Sequence, residues 1–315
     1  MTPGIGESRA APAVARGLVA TTRKVVRRPQ FWFATIWLVP TVIWYSLFLF
    51  FPILRGFWLA VVDYNITNPA ASPFVGLDNL RKLLLNPLLF VSLKNTVLLG
   101  ALQFAIILPL ALLVSTCLVN LTRGTASYQG VIFLPVVVSL VAVSLLFRML
   151  MDPELGQFNQ VLRALHLPTF KWLSSSDSAL VSIAIIDIWK GLGFYVVLLT
   201  AGMLNIPSEL YEAARVDGTN EWQRFWYMTL PLLRHTLVLV MIILAIGSLQ
   251  VYTGPFVLTS GGPGYSTYVF NMLIVDEAFT NLRFGTAAVA ALVQFGLVFI
   301  VSLVQLKLIR PRWSY

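Results

Sequence analysis

Six long runs of mostly apolar residues follow one another along this chain of 315 residues. An α-helix rises 1.5 Å per residue, so about twenty residues cross the roughly 30 Å hydrocarbon core of a lipid bilayer. The six runs cover residues 31–54, 95–121, 130–151, 179–204, 236–258 and 286–309. The sequence therefore predicts an all-α, polytopic membrane protein with about six transmembrane helices.

The composition argues against a water-soluble globular protein. Charged residues make up only 11% of the chain, whereas soluble domains contain about 25%. The net charge of +9 could indicate nucleic-acid binding, but the basic residues flank apolar runs and build no basic face, so we expect no nucleic-acid partner. Cys117 is the only cysteine, and His166 and His235 are far apart, so we expect no disulfide and no metal site.

The distribution of basic residues predicts the orientation in the membrane. Residues 1–30 form a basic tail, and the apolar run behind it is too long for the core of a cleaved signal peptide. Six spans place both termini on one side, and the segments of that side contain thirteen of the 22 Lys and Arg residues: Arg9, Arg16, Arg23, Lys24, Arg27, Arg28, Arg123, Arg215, Arg224, Arg234, Lys307, Arg310 and Arg312. The positive-inside rule then predicts that both termini and the connections 122–129 and 205–235 are cytoplasmic.

Residues 206–231, between the fourth and fifth spans, predict a helix–turn–helix. Pro207 suits a helix start and Ser208 can cap the helix, while Asp217-Gly218 can form the turn that ends it. A second short helix is expected after the turn. The exposed first helix could dock into a groove of a soluble partner, or it could only tie the two spans together at the membrane surface, and the residues alone favour neither.

The same loop carries a recognisable motif. The motif consists of Glu212-Ala213-Ala214, Gly218 after three further residues, and Met228-Thr229-Leu230-Pro231 after nine more. This pattern resembles the EAA loop of binding-protein-dependent ABC transporter permeases, in which isoleucine usually stands in place of Met228. Three other stretches resemble the carbohydrate-uptake branch of that family: Asp152-Pro153-Glu154-Leu155-Gly156-Gln157-Phe158-Asn159, Trp189-Lys190-Gly191-Leu192-Gly193-Phe194 and Thr259-Ser260-Gly261-Gly262-Pro263.

The resemblance implies a type I ABC importer permease fold for residues 31–315. It also implies that a coupling helix in the loop 206–231 contacts an ATP-hydrolysing subunit through Glu212, Ala213, Ala214, Arg215, Asp217 and Gly218. The chain contains no GxxxxGK[ST] phosphate-binding loop, so we expect no catalytic residues and no bound cofactor here, with ATP and Mg²⁺ used by the ATPase subunit. The implied partners are a second homologous permease, two ATPase copies and an extracytoplasmic solute-binding protein.

A second candidate site lies in the fourth span. Asp187 and Lys190 are three residues apart, so they share a helix face and can neutralise each other. A charge at the bilayer centre costs at least about 2.5–3.5 kcal/mol, so both should face the bundle interior or a watery cavity. An internal ion pair that fixes helix packing is the alternative to a functional site. By resemblance to maltose-type permeases, the residues that would line a sugar pocket are Asp187, Lys190, Gly191, Phe194, Leu244, Ser248 and Val251.

The function indicated by these features is the permease subunit of an ATP-driven importer for a carbohydrate or related polyol in a bacterial or archaeal cytoplasmic membrane. A stand-alone transporter driven by an ion gradient is the alternative, because intramembrane ionisable groups can relay protons. A membrane anchor for a soluble enzyme is a third interpretation. It explains the spans but not the intramembrane charges.

Overall fold

The computed structural model describes residues 29–121 and 124–309. Within these ranges the regular structure is helical, apart from an isolated antiparallel bridge between Val62 and Phe74. Five helices are long and apolar enough to cross a membrane, and the number becomes six if one bent pair counts as a single span. The predicted all-α protein with about six spans is confirmed. Residues 1–28 of the predicted basic tail lie outside the described residues.

The chain divides into two compact units, and the first ends at Trp58. Its described part consists of helix α1 (Pro29–Tyr45), a π-helical turn (Ser46–Phe50) and most of α2 (Phe51–Ala60). The first span therefore ends at Ala60 rather than at residue 54. The large apolar side chains along this span are exposed, as expected for a helix whose surface faces lipid or another apolar partner.

The second unit, from Leu59 onward, contains the remaining spans and several short helices at their ends. In chain order the helices are α3 (Asp78–Leu84), α4 (Leu88–Val119), α5 (Thr125–Val137), α6 (Leu140–Leu150), α7 (Gln157–Ala164), α8 (Ala179–Leu204), α9 (Ser208–Val216), α10 (Glu221–Arg224), α11 (Leu230–Leu232), α12 (Arg234–Leu249), α13 (Thr253–Thr259), α14 (Phe270–Val275) and α15 (Phe284–Ile309).

Helix α8 lies at the centre of the second unit. It packs along α4 and α5 and also contacts α12, while α12 packs against α4 and α15. Two clusters of buried apolar side chains hold these spans together. The larger contains Leu99, Ile183 and Phe270, and the smaller contains Ala111 and Val240. The packing places the middle of α8 against three other spans.

The third predicted span, 130–151, consists of two helices rather than one. The axes of α5 and α6 differ by 87°. The backbone is extended at Val138 and Ser139, with ψ values of 143° and 130°. Pro135 lies one turn before the break and lacks a backbone N–H, so it weakens the helix at this point. The bend lies inside a membrane-spanning stretch and therefore exposes backbone carbonyl groups that need hydrogen-bond donors.

The fifth predicted span is also interrupted, at residues 250–252 between α12 and α13. Side chains from other elements bind carbonyl groups at this interruption. The Gln294 amide on α15 donates to the Leu249 carbonyl (3.0 Å), and the Asn271 amide on α14 donates to the Gln250 carbonyl (2.6 Å). Two of the spans around α8 are therefore broken helices.

Candidate functional site

The loop 206–231 forms the predicted helix–turn–helix. Helix α9 ends in a Schellman motif, in which the N–H of Gly218 donates to the Arg215 carbonyl (3.1 Å) and the N–H of Thr219 donates to the Ala214 carbonyl (3.1 Å). Gly218 has a φ of +76°, in the left-handed region where glycine pays no steric penalty. The stop predicted at Asp217-Gly218 is therefore confirmed.

The start of α9 differs in one detail from the prediction. Pro207 occupies the N-cap position and Ser208, the predicted cap, is the first residue of the helix. A proline at the N-cap fixes the entry of the chain, because its ring restricts φ, but it offers no side-chain acceptor for the first N–H groups. Helix α9 therefore has capping hydrogen bonds at its C-terminus but no side-chain cap at its N-terminus.

The second helix of the loop, α10, begins with a complete capping box. The N–H of Gln223 donates to the Asn220 side chain (2.8 Å), and the N–H of Asn220 donates to the Gln223 side chain (3.0 Å). Arg224 forms an ion pair with Glu221 and also donates to the Thr219 carbonyl (3.1 Å). These bonds connect α10 to the turn that follows α9.

One side-chain contact links α9 to the entrance of the fifth span. The hydroxyl groups of Tyr211 and Thr229 are 3.1 Å apart, and Thr229 is buried at the end of a π-helical turn (Phe225–Thr229). Helix α9 is thereby connected to the last part of the loop, eighteen residues further along the chain. These hydrogen bonds hold the two helices of the loop in a fixed relative position.

Five of the six predicted loop residues are exposed and Ala214 is half-buried, and together they do not enclose one pocket. Glu212 and Arg215 line a cavity of about 230 Å³ between α9 and the ends of α4 and α8. Ala214, Asp217 and Gly218 line a second cavity, of about 470 Å³, together with residues near 223–228. The remaining residue of the set, Ala213, is exposed. This geometry suits contact with another macromolecule.

The second candidate site is a cavity of about 260 Å³ among the spans. Its walls come from α4, the α5–α6 bend, α8 and the end of α12. Six of the seven predicted pathway residues line it: Asp187, Lys190, Gly191, Leu244, Ser248 and Val251. The seventh, Phe194, does not line the cavity and instead contacts the Tyr195 ring edge to face, with ring centroids 5.4 Å apart.

Asp187 and Lys190 do not pair with each other, although they line the same cavity. Among the residues that the structure describes, neither takes part in an ion pair within 4.0 Å. The Asp187 carboxylate accepts a hydrogen bond from the buried Gln103 amide (2.9 Å). The Lys190 ammonium group lies near two carbonyl oxygens, of Pro135 at 3.4 Å and Val136 at 3.2 Å. The two charges therefore form no direct ion pair, and each finds its hydrogen-bond partner on a different span.

Six residues that line this cavity were not predicted from the sequence: Gln103, Ile107, Val136, Leu140, Tyr195 and Gly247. Gln103 could have been found, because an amide in the middle of an apolar span needs a partner. A second close contact to Asp187 comes from α13, where a Cβ atom added at Gly254 would lie 3.1 Å from a carboxylate oxygen. The carboxylate is thus held between α4 and the backbone of α13.

The stretch 152–159, singled out by its resemblance, folds into a compact turn. The backbone N–H groups of Leu155 and Glu154 donate to the Asp152 carboxylate and hold the pKa of that carboxyl below its usual value. Asn159 binds the Pro153 carbonyl through its amide nitrogen (2.9 Å). Its amide oxygen accepts from the Trp172 indole (2.9 Å). These motif residues maintain the shape of the connection between α6 and α8.

No group of three or more His, Cys, Asp or Glu side chains is positioned to hold a metal ion within residues 29–121 and 124–309. The polar groups of the cavity are one amide, one carboxylate, one ammonium group and two hydroxyls, from Gln103, Asp187, Lys190, Tyr195 and Ser248. This set can form hydrogen bonds to a polar solute.

Comparison with known proteins agrees with these features. Residues 107–315 match the family described as "Binding-protein-dependent transport system inner membrane component". YurN of Bacillus subtilis, a probable ABC transporter permease protein, is 30% identical over 276 residues, which are 86% of this chain and 94% of the relative. SmoG of Agrobacterium fabrum, a sulfoquinovosyl glycerol transport system permease protein, is 31% identical over 283 residues, which are 89% and 91% of the two chains.

The fold is also found in a solved structure. A chain of the crystal structure of a bacterial alginate ABC transporter, in complex with alginate pentasaccharide-bound periplasmic protein, superposes with a TM-score of 0.78 at 23% identity, and the match covers 89% of this chain and 95% of that chain. The chain thus shares the overall fold of that transporter chain. The chain belongs to the binding-protein-dependent transport system inner membrane component family and is a membrane-spanning permease subunit of an ABC importer.

Proposed function

We propose that this subunit imports a carbohydrate or related polyol across a bacterial or archaeal cytoplasmic membrane, with both termini in the cytoplasm. Support for the solute class comes from relatives such as SmoG, whose name specifies a glycosyl glycerol. The intramembrane cavity adds chemical support, because the planar groups of Gln103 and Asp187 can bind neighbouring hydroxyl groups of a sugar. The distribution of basic residues supports the orientation.

Helix α9 would transmit the motion of the ATPase subunit to the spans. The observation that carries this proposal is the exposed Ala213 surface on a loop that is internally braced and joined to the fifth span. A small side chain permits close approach of a partner, and Glu212 beside it offers a carboxylate to a basic residue. The Tyr211–Thr229 contact holds α9 close to the residues that lead into α12. A displacement of α9 would therefore move α12 instead of only deforming the loop.

The complete importer would contain this chain, a second homologous permease, two ATPase copies and an extracytoplasmic binding protein that delivers the solute. ATP binding would close the ATPase pair, the coupling helices would follow, and the pathway would open outward to take the solute. ATP and Mg²⁺ would act on the ATPase subunits only. The alternative of an ion-gradient-driven transporter has no support from the family, and it gives the exposed loop no role.

A matched pair of substitutions tests the coupling proposal. Ala213 on α9 and Ala164 on α7 are both exposed, so tryptophan should be tolerated by the fold at either position. We expect Ala213→Trp to abolish co-purification of the ATPase subunit and ATP-driven uptake, while Ala164→Trp retains the ATPase. Normal ATPase retention by Ala213→Trp would remove α9 from the coupling interface.

The solute class is tested separately through the binding protein encoded with this permease. Calorimetric titration with glucose, maltose, glycerol and glycerol 3-phosphate, and with amino acids as the control panel, should reveal binding of a hydroxyl-rich compound. Binding of an amino acid instead would contradict the carbohydrate or polyol proposal and leave the coupling proposal intact.

A further inference from the structure

The bend between α5 and α6 leaves carbonyl groups without partners from their own helix. The last four carbonyls of any α-helix lack intrahelical N–H donors, and in α5 these include the carbonyls of Pro135 and Val136. The bend lies inside a membrane-spanning stretch, where water is not available to every exposed backbone group. A stable bend at this position needs donors from another element.

Lys190 on α8 supplies such donors. Its ammonium nitrogen lies 3.2 Å from the Val136 oxygen and 3.4 Å from the Pro135 oxygen, and an ammonium group has three N–H donors. A positive charge is also favoured at the negative end of the helix dipole. Asp187, which shares its helix face, accepts from Gln103 instead.

The backbones of α5 and α8 are in close contact beside this group. A Cβ atom added at Gly193, three residues after Lys190, would lie 2.2 Å from the Ile132 oxygen. Because α5 and α8 are in contact at Gly193, the Lys190 side chain lies close enough to reach the carbonyl groups at the end of α5.

The other interrupted span is capped by the same principle. The Leu249 carbonyl at the end of α12 accepts from the Gln294 amide of a different span. The Gln250 carbonyl accepts from a second neutral amide, that of Asn271, whereas at the α5–α6 bend the donor is a cation.

We infer that Lys190 is a positioning residue that caps α5 from a neighbouring span and thereby fixes the bend that shapes the intramembrane cavity. Val136 and Leu140, one on each side of the bend, both line that cavity. Moving the end of α5 therefore moves a cavity wall. The geometric part of the inference stands on the fold alone, and only its consequence for transport rests on the proposed function.

The bend can be measured directly in the assembled transporter. Spin labels at Ser127 on α5 and Met149 on α6, both exposed, would report the distance across the bend by pulsed electron resonance in nanodiscs. Cys117 is replaced by serine in this background, and any cysteines of the partner subunits are replaced as well. We expect Lys190→Met to broaden the distance distribution to about twice the wild-type width, since two carbonyls lose their donors.

Two further variants separate capping from other roles of the charge. Lys190→Arg keeps donors and charge and should retain the wild-type distribution. Asp187→Asn changes the charge of the cavity but touches neither carbonyl, and it should leave the distribution unchanged. If Lys190→Met does not accumulate, Lys190→Ala, whose side chain has no N–H donor, should show the broadening.

The inference is overturned if the distributions of Lys190→Met and Lys190→Ala match wild type, or if Asp187→Asn broadens the distribution as much as Lys190→Met does. The ATPase rate of the wild-type complex, with and without its loaded binding protein, is measured in parallel. A complex that shows no stimulation would contradict the proposed function, while the distance distributions would still decide the role of Lys190.

Discussion

The loop 206–231 and the intramembrane cavity are built in opposite ways. The bonds that shape the loop join residues close in sequence, such as the capping box over three residues and the Tyr211–Thr229 contact over eighteen. The bonds that shape the cavity join Gln103 to Asp187 across 84 residues and Lys190 to the α5 carbonyls across more than fifty. A locally determined element can be presented to a partner intact, whereas a site made by packing changes whenever the spans move. The loop thus has the property that a coupling element needs, which is a shape that persists during motion. The cavity has the property that a transport pathway needs, which is a shape that changes with the spans.

The largest expected effect comes from the packing on which the cavity depends. Gly193→Ala would place a Cβ atom 2.2 Å from the Ile132 oxygen. This oxygen belongs to the backbone, so the clash can be relieved only by shifting a helix. Overpacking typically costs about 1–3 kcal/mol or more, so the membrane yield of assembled protein should fall severely. Gly130→Ala on α5 is the control, because its added Cβ meets no atom within 4 Å. Size-exclusion profiles of the two variants should differ, and a normal profile for Gly193→Ala would contradict the close contact.

The next effect concerns the charge inside the cavity. Asp187→Ala leaves the buried Gln103 amide without its acceptor, and hydrogen bonds to charged groups contribute about 1.5–3 kcal/mol. We expect ATP-driven uptake of the solute recognised by the binding protein to fall by about tenfold or more, on the same scale. Val131→Ala, at an exposed position of α5, should have little effect. Equal uptake by both variants would show that the carboxylate is peripheral to transport.

A smaller effect is expected at the turn of the loop. Gly218→Ala adds no clash but forces a non-glycine residue into a φ of +76°, at a cost of about 1–2 kcal/mol. Uptake should fall several-fold at unchanged yield. Asparagine tolerates this conformation better, so Gly218→Asn should retain more activity than Gly218→Ala. The reverse order would mean that the side chain, rather than the backbone conformation, decides coupling.

The smallest effect concerns the brace of the loop. Tyr211→Phe removes one hydrogen bond worth about 1 kcal/mol, so the amount of solute moved per ATP should fall by less than about tenfold. Tyr227→Phe, which removes an exposed hydroxyl of the same loop, is the matched control. Similar ratios for both variants would indicate that the loop transmits motion without this contact.

Local signals in the sequence were sufficient for much of the loop. The glycine in Asp217-Gly218 predicted the left-handed turn, because few other residues adopt a positive φ without strain. The cap at Ser208 was predicted one position too late, since proline at 207 took the N-cap place. The functional assignment of these residues stays a prediction, because it depends on a partner surface.

Side-chain spacing was less reliable inside the membrane. The three-residue separation of Asp187 and Lys190 correctly placed both on one helix face and on one cavity. It could not show their partners, because Gln103 and the carbonyls of the α5 bend come from other spans. Phe194 was assigned to the cavity by resemblance, and in the structure its ring packs against Tyr195 instead.

The sequence by itself determined that the chain crosses a membrane about six times and carries an exposed helix–turn–helix, because apolar run length and turn chemistry are local properties. Only the tertiary structure decided where the third span bends, which partner each intramembrane charge takes and which residues enclose the cavity. Those outcomes depend on backbone groups that must find donors inside a low-dielectric environment, and the available donors lie on other spans.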